Sequence, residues 1–129
     1  MARRKHGSFP SILVAAILCV GCDATAPSTT VTDSFSGTLQ PRSSTWHNFV
    51  VSSNGAVQVV LASLPSSVPS VGVGIGLAQN GCSRLTWSDQ VAVSGGVALD
   101  ADVGTYCVLI YDSGGVSTAA AYTLSVTHP

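Results

Sequence analysis

Between Val71 and Leu77 the chain reads Val-Gly-Val-Gly-Ile-Gly-Leu, an apolar residue and a glycine in strict turn. A helix is a poor home for this segment, because three interior glycines cost about 3 kcal/mol relative to alanine. A strand suits it. A period of two sends Val71, Val73, Ile75 and Leu77 to one face and leaves the opposite face bare. Such a face admits close approach, by a ligand or by a neighbouring loop or large side chain, and the second is the expected occupant. The Gly-x-Gly pattern is not a nucleotide fingerprint either, since no helix follows it.

The same period runs through most of the chain from Asp33 onward, broken by Gly, Ser, Asn and Pro. Phe35, Gly37 and Leu39 mark a first strand, and His47, Phe49 and Val51 a second. Ser53-Asn54-Gly55 turns the chain into a third, with Val57, Val59 and Leu61 on one face and Gln58 on the other. Leu64 to Pro69 reads as a loop, since its two prolines exclude a central strand. Gln79 to Gln90 reads as a polar excursion carrying Cys82, Arg84, Trp87 and Asp89. Val91–Val93 and Val97–Leu99 read as short strand pieces around Gly95-Gly96. Thr105–Tyr111 is the strongest strand, with Tyr106, Val108 and Ile110 facing the core. Asp112–Gly115 turns it, and Ala121–Val126 closes the domain with Tyr122, Leu124 and Val126 inward. No segment reads as a helix. Seven or eight short strands in one domain, residues 33–127, predict an all-β fold, a single antiparallel β-sandwich of jelly-roll-like form.

Ahead of that domain stands an address. Arg3-Arg4-Lys5 precedes the apolar run Ile12–Val20, a charged and an apolar region of secretory type, too short for the ~20 residues of a membrane span. Cys19-Val20-Gly21-Cys22 then resembles the bacterial lipobox, in which a small residue precedes a cysteine that becomes lipid-modified. Val20 and Gly21 match the pattern, and Cys19 departs from it where Leu is usual. The resemblance implies a cleaved signal peptide over residues 1–21, lipidation of Cys22, and a flexible tether over 22–32. It implies an envelope lipoprotein, membrane-anchored and facing the periplasm or the cell exterior.

Charged residues make up only 9% of the sequence, against about 25% in ordinary domains. There is no Glu, and the sole Lys is Lys5. Beyond residue 21 two arginines face six aspartates, a net charge of −4. Such a surface lacks the basic patch that nucleic-acid binding needs, and that class of partner is excluded.

Trp46-His47-Asn48-Phe49-Val50-Val51, then Gly55-Ala56-Val57-Gln58-Val59, then Gly104-Thr105-Tyr106-Cys107-Val108 and finally Tyr122-Thr-Leu-Ser-Val126 occur in this order. Together they resemble the bacterial pre-peptidase C-terminal domain, a β-sandwich found beside secreted peptidases and in surface proteins. The resemblance covers Phe35 to Val126 and rests on core-packing positions. It therefore implies the fold and leaves the function open.

The candidate site residues follow from position. In an oxidising compartment Cys82 and Cys107 are the natural disulfide pair, closing a loop worth roughly 3.5 kcal/mol in the chain-entropy model. His47 lies on the core face and is expected to be a satisfied buried histidine, and His128 sits at the C-terminus, where chains fray. Asp100 and Asp102, read as neighbours in a turn, are weak calcium candidates, with no spaced acidic loop around them. No other metal or cofactor is implied, and no nucleophile–base–acid set stands out, so a non-catalytic role is expected. Trp46, alternating away from His47, and Trp87 with Arg84 and Asp89 are the candidate contacts for a ligand or partner. Three roles suit such residues: an interaction or structural module of the envelope, a carbohydrate-binding module, or an accessory or inhibitor of a secreted peptidase. The second requires Trp46 or Trp87 to be exposed on a concave sheet face.

Overall fold

The computed structural model describes residues 29–129. The signal segment 1–21, the lipidation candidate Cys22 and most of the tether 22–32 lie outside the described residues. Eight strands follow: β1 (Val31–Leu39), β2 (Ser44–Val51), β3 (Gly55–Ser63), β4 (Val71–Leu77), β5 (Ser83–Val91), β6 (Gly96–Ala101), β7 (Gly104–Tyr111) and β8 (Ala120–His128). They form two four-stranded sheets, ordered β1-β8-β3-β6 and β2-β7-β4-β5, with every pairing antiparallel.

The pairing has a simple origin. β1 meets β8, β2 meets β7, β3 meets β6 and β4 meets β5. The chain is one long hairpin, with the β4–β5 connection at its tip, rolled so that alternate rungs fall in opposite sheets. This is the jelly-roll form of the β-sandwich that the alternation predicted.

The core lies between the sheets and is built from the inward set of each strand. Leu39, Val51, Val57, Val59, Leu61, Val71, Val73, Ile75, Val108, Ile110, Leu124 and Val126 are fully buried there. Polar groups inside the sandwich are paired. Tyr122 of one sheet reaches across to His47 of the other, hydroxyl to Nε2, at 2.8 Å. Gly37 makes the space, since a Cβ there would stand 2.5 Å from the Tyr122 hydroxyl oxygen. Phe35 stacks on the far side of His47, ring centroids 4.9 Å apart.

Three parts of the sequence reading change. Residues 83–90, expected within a polar excursion, form with Val91 the full edge strand β5, because an edge strand exposed on both faces carries no apolar alternation. The piece expected at 97–99 lies within the six-residue β6, while of the piece expected at 91–93 only Val91 is strand, as the last residue of β5, and a turn with Ser94 at φ 73° follows it. His128 is not frayed. It is buried, its Nε2 2.7 Å from the Asp33 carboxylate and its ring 5.2 Å from that of Phe49. The Ser53–Gly55 turn is present, and it carries the chain from one sheet to the other rather than closing a hairpin within a sheet.

Cys82 and Cys107 form the expected disulfide, which ties the β4–β5 tip back to β7. Removing it by Cys82→Ser with Cys107→Ser should lower unfolding free energy by about 3 kcal/mol, read by urea titration. At Gly76 a Cβ would stand 2.2 Å from the Ser83 carbonyl oxygen, a backbone atom unable to move aside cheaply. Gly76→Ala should therefore cost about 2 kcal/mol in the same titration. An unchanged midpoint would mean that β5 does not lie against β4 as described.

Candidate functional site

Sheet β2-β7-β4-β5 has an outer face, and the register decides what stands on it. Trp46 lies opposite Leu109, Ser44 opposite Tyr111, and Asn48 opposite Cys107. Leu109, Tyr111 and Cys107 in turn lie opposite Gly74, Gly72 and Gly76. Gly74 and Gly76 then meet Trp87 and Arg84 of β5. The glycine stripe thus runs down the middle of this face, with side chains from both flanks leaning over it.

What covers the stripe is protein. A Cβ on Gly72 would fall 2.1 Å from the Tyr111 ring, and one on Gly74 would fall 3.1 Å from the Trp87 Cβ. Bare glycines let the tyrosine lie flat across the sheet, the outcome favoured over a ligand touching the backbone directly. Tyr111 is held in that pose by its hydroxyl, which donates to Asp89 Oδ1. Above the pair, the Arg84 guanidinium carbon sits 4.7 Å from the Trp87 ring centroid and 5.7 Å from that of Tyr111. Both distances are within the range of cation–π attraction.

The tip of the β4–β5 hairpin supplies the remaining wall. Asn80 and Gly81 both adopt positive φ, 50° and 91°, the backbone that tight hairpin turns demand. The Trp46 ring packs over Gly81, where a Cβ would stand 3.3 Å from it. Ser44, Trp46, Asn80, Gly81, Cys82, Arg84, Leu109 and Tyr111 line an open cleft of about 400 Å³. That volume is within the range of small-molecule sites.

The structure therefore brings together the four candidate contacts: Trp46, Arg84, Trp87 and Asp89 share one face. Trp46 and Trp87 remain 45% and 49% exposed. Tyr111, Leu109 and Asn80 were not among the sequence candidates. Tyr111 was within reach, as an outward residue at the end of the strongest strand in a fold with a bare glycine face to cover.

The other candidates stand elsewhere. Asp100 is an exposed residue of β6, not of a turn, and Asp102 is exposed in the β6–β7 connection. Among the described residues no group of three or more His, Cys, Asp or Glu is placed to hold a metal ion. His47 has its ring committed to Tyr122 and Phe35, and burial lowers its pKa. Asp112 accepts backbone N–H bonds from Arg42, Gly114 and Val116, which hold its carboxyl below the usual value and knit two loops together.

No protein-family model and no curated protein sequence matches the chain. Solved structures do. The mitogen derived from Yersinia pseudotuberculosis superposes with a TM-score of 0.59 at 14% identity, covering 78% of this chain and 88% of that one. The periplasmic inhibitor of g-type lysozyme from Aeromonas hydrophila gives 0.50 at 11% identity, over 74% and 82%. The pre-peptidase C-terminal domain of the Bacillus anthracis collagenase gives 0.49 at 16% identity, over 76% and 87%. At these identities the likeness is one of fold, and the β-sandwich implied by the sequence resemblance is the fold observed.

The electrostatics of the cleft are testable by titration. Burial first, then the Asp89 hydrogen bond and charge, push the Tyr111 hydroxyl up from 10.0 to about 12, with the Arg84 cation pulling the other way. A raised folded-state value stabilises the fold below pH 10.0, and this contribution is lost as pH rises through about 12. Ring-carbon NMR should place Tyr111 ionisation near that upper value. Asp89→Asn should lower it, because the hydrogen bond to the carboxylate and its charge both hold the proton on Tyr111.

Proposed function

We propose that the protein is a non-catalytic binding module of the cell envelope, anchored through a lipid on Cys22, whose ligand is a glycan held on the outer face of the β2-β7-β4-β5 sheet. One observation carries the reading: two half-exposed tryptophans, Trp46 and Trp87, share a sheet face whose cleft also presents Asn80 and Arg84. Sugar rings pair an apolar C–H face with a rim of hydroxyls, so they suit aromatic surfaces bordered by a few polar groups. The commitment of His47 to core partners is compatible with a role that makes or breaks no bonds. An envelope location accords with the secretory start of the sequence and with the disulfide, which belongs to oxidising compartments.

Binding of oligosaccharides, followed by tryptophan emission, tests the ligand. Trp46→Ala and Trp87→Ala should each weaken binding about tenfold or more, while the melting transition stays near that of the parent. A glycan that binds equally to both variants would contradict the reading. Tight binding to a purified secreted hydrolase, lost on changes in residues 79–90, would replace it with the inhibitor role. The anchor is tested by intact mass and membrane fractionation. A chain starting at acylated Cys22, with unprocessed Cys22→Ser accumulating, is expected, and a soluble wild-type chain trimmed elsewhere would overturn the anchor.

A further inference from the structure

We infer that the glycan taken by this face carries a carboxylate, and that Arg84 is the residue that reads it. The inference rests on the glycan reading above and adds the chemistry of the sugar. Arg84 and Arg42 are the only arginines among the described residues, which contain no lysine. Arg42 belongs to the β1–β2 connection, where its backbone N–H bonds Asp112. Arg84 is thus the one cationic side chain of the tryptophan-bearing face.

Its charge is unanswered. Among the described residues the sole ion pair joins His128 to Asp33, so no carboxylate lies within 4.0 Å of the Arg84 guanidinium. Asp89, on the same strand, instead accepts a hydrogen bond from the Tyr111 hydroxyl. A flexible arginine at a surface would need no explanation, but this one is gripped. The ring faces of Trp87 and Tyr111 stand 4.7 and 5.7 Å from its guanidinium carbon, and Tyr111 is itself pinned by Asp89 over Gly72.

Packing of ring faces against the guanidinium restrains it, and although the group also reaches the Tyr111 hydroxyl, further in-plane N–H donors remain for a ligand. Those donors form a planar fork that matches the two oxygens of a carboxylate. Arg84 also borders the cleft, together with Ser44 and Asn80, whose hydroxyl and amide suit sugar hydroxyls. One fixed cation on an otherwise acidic chain suits a single carboxylate rather than a polyanionic stretch, which the net negative charge and the nearby Asp89 would disfavour. The ligand class is a pyranose bearing a carboxylate, as a uronic acid does at its ring or a lactyl-bearing amino sugar does through its ether.

The test titrates the purified protein with methyl galacturonoside, methyl glucuronoside and a muramic-acid disaccharide, each carrying a single carboxylate, beside its methyl ester, which keeps the sugar and removes the charge. At least one acid should bind about tenfold or more tightly than its ester, and which one does so distinguishes ring from lactyl carboxylates. Arg84→Gln should cost the acid more than its ester and so erase that preference, and Arg84→Lys should restore part of it. Equal binding of acids and esters would overturn the inference and leave the glycan reading standing. Loss of acid and ester alike in Arg84→Gln would show that the guanidinium only packs, also overturning it. No binding of any acid or ester would overturn both readings.

Discussion

The outer face of this sandwich depends on the absence of three side chains. β4 is a central strand, hydrogen-bonded on one side to β7 and on the other to β5. Its inward residues Val71, Val73 and Ile75 are fully buried in the core, while Gly72, Gly74 and Gly76 offer no atoms outward. Tyr111 can therefore lie over Gly72, the Trp87 stem can approach Gly74, and the backbone of Ser83 can close on Gly76. With alanines in those places the rings would be lifted off the sheet and β5 forced away. The glycines are a packing device, and the face they create carries the cleft described above.

Topology then determines which residues meet there. Because the fold is a rolled hairpin with β4–β5 at its tip, residues 44–46, 80–89 and 109–111 converge from three separate stretches of chain. The Cys82–Cys107 bridge locks that convergence by tying the tip to β7. Inside the sandwich, the contact of Tyr122 with His47 and that of His128 with Asp33 satisfy polar groups that would otherwise be costly to bury. Every buried side-chain nitrogen and oxygen of the described residues has a partner.

The legible parts of the sequence are those where apolar residues mark at least one buried face of a strand, including β4 and β7, which are covered on both. β1, β2, β3, β4, β7 and β8 all show apolar residues at alternate positions, and their inward sets were assigned correctly. β5 was illegible for the converse reason. As an edge strand it exposes Leu85 and Trp87 and buries little besides Val91, so it lacks the period that announces a strand. A local signal was present in Asn80-Gly81, a dipeptide that tight hairpin turns favour, and it would have revealed β5. The site was half legible. Alternation put Trp46 outward and composition singled out Arg84, Trp87 and Asp89, but only the structure shows that Tyr111 joins them and that Arg84 packs against both the Trp87 and the Tyr111 rings.

The two tryptophans are the only ones in the chain, so their indole N–H resonances report directly on the face in question. Following them by NMR while an acidic oligosaccharide is added tests the central claim, that the outer face of the β2-β7-β4-β5 sheet is the binding surface. Both resonances should shift together and saturate at the same ligand concentration. Unmoved indoles, with perturbations confined to the sheet of β1, β8, β3 and β6 or to the loops at its ends, would contradict it.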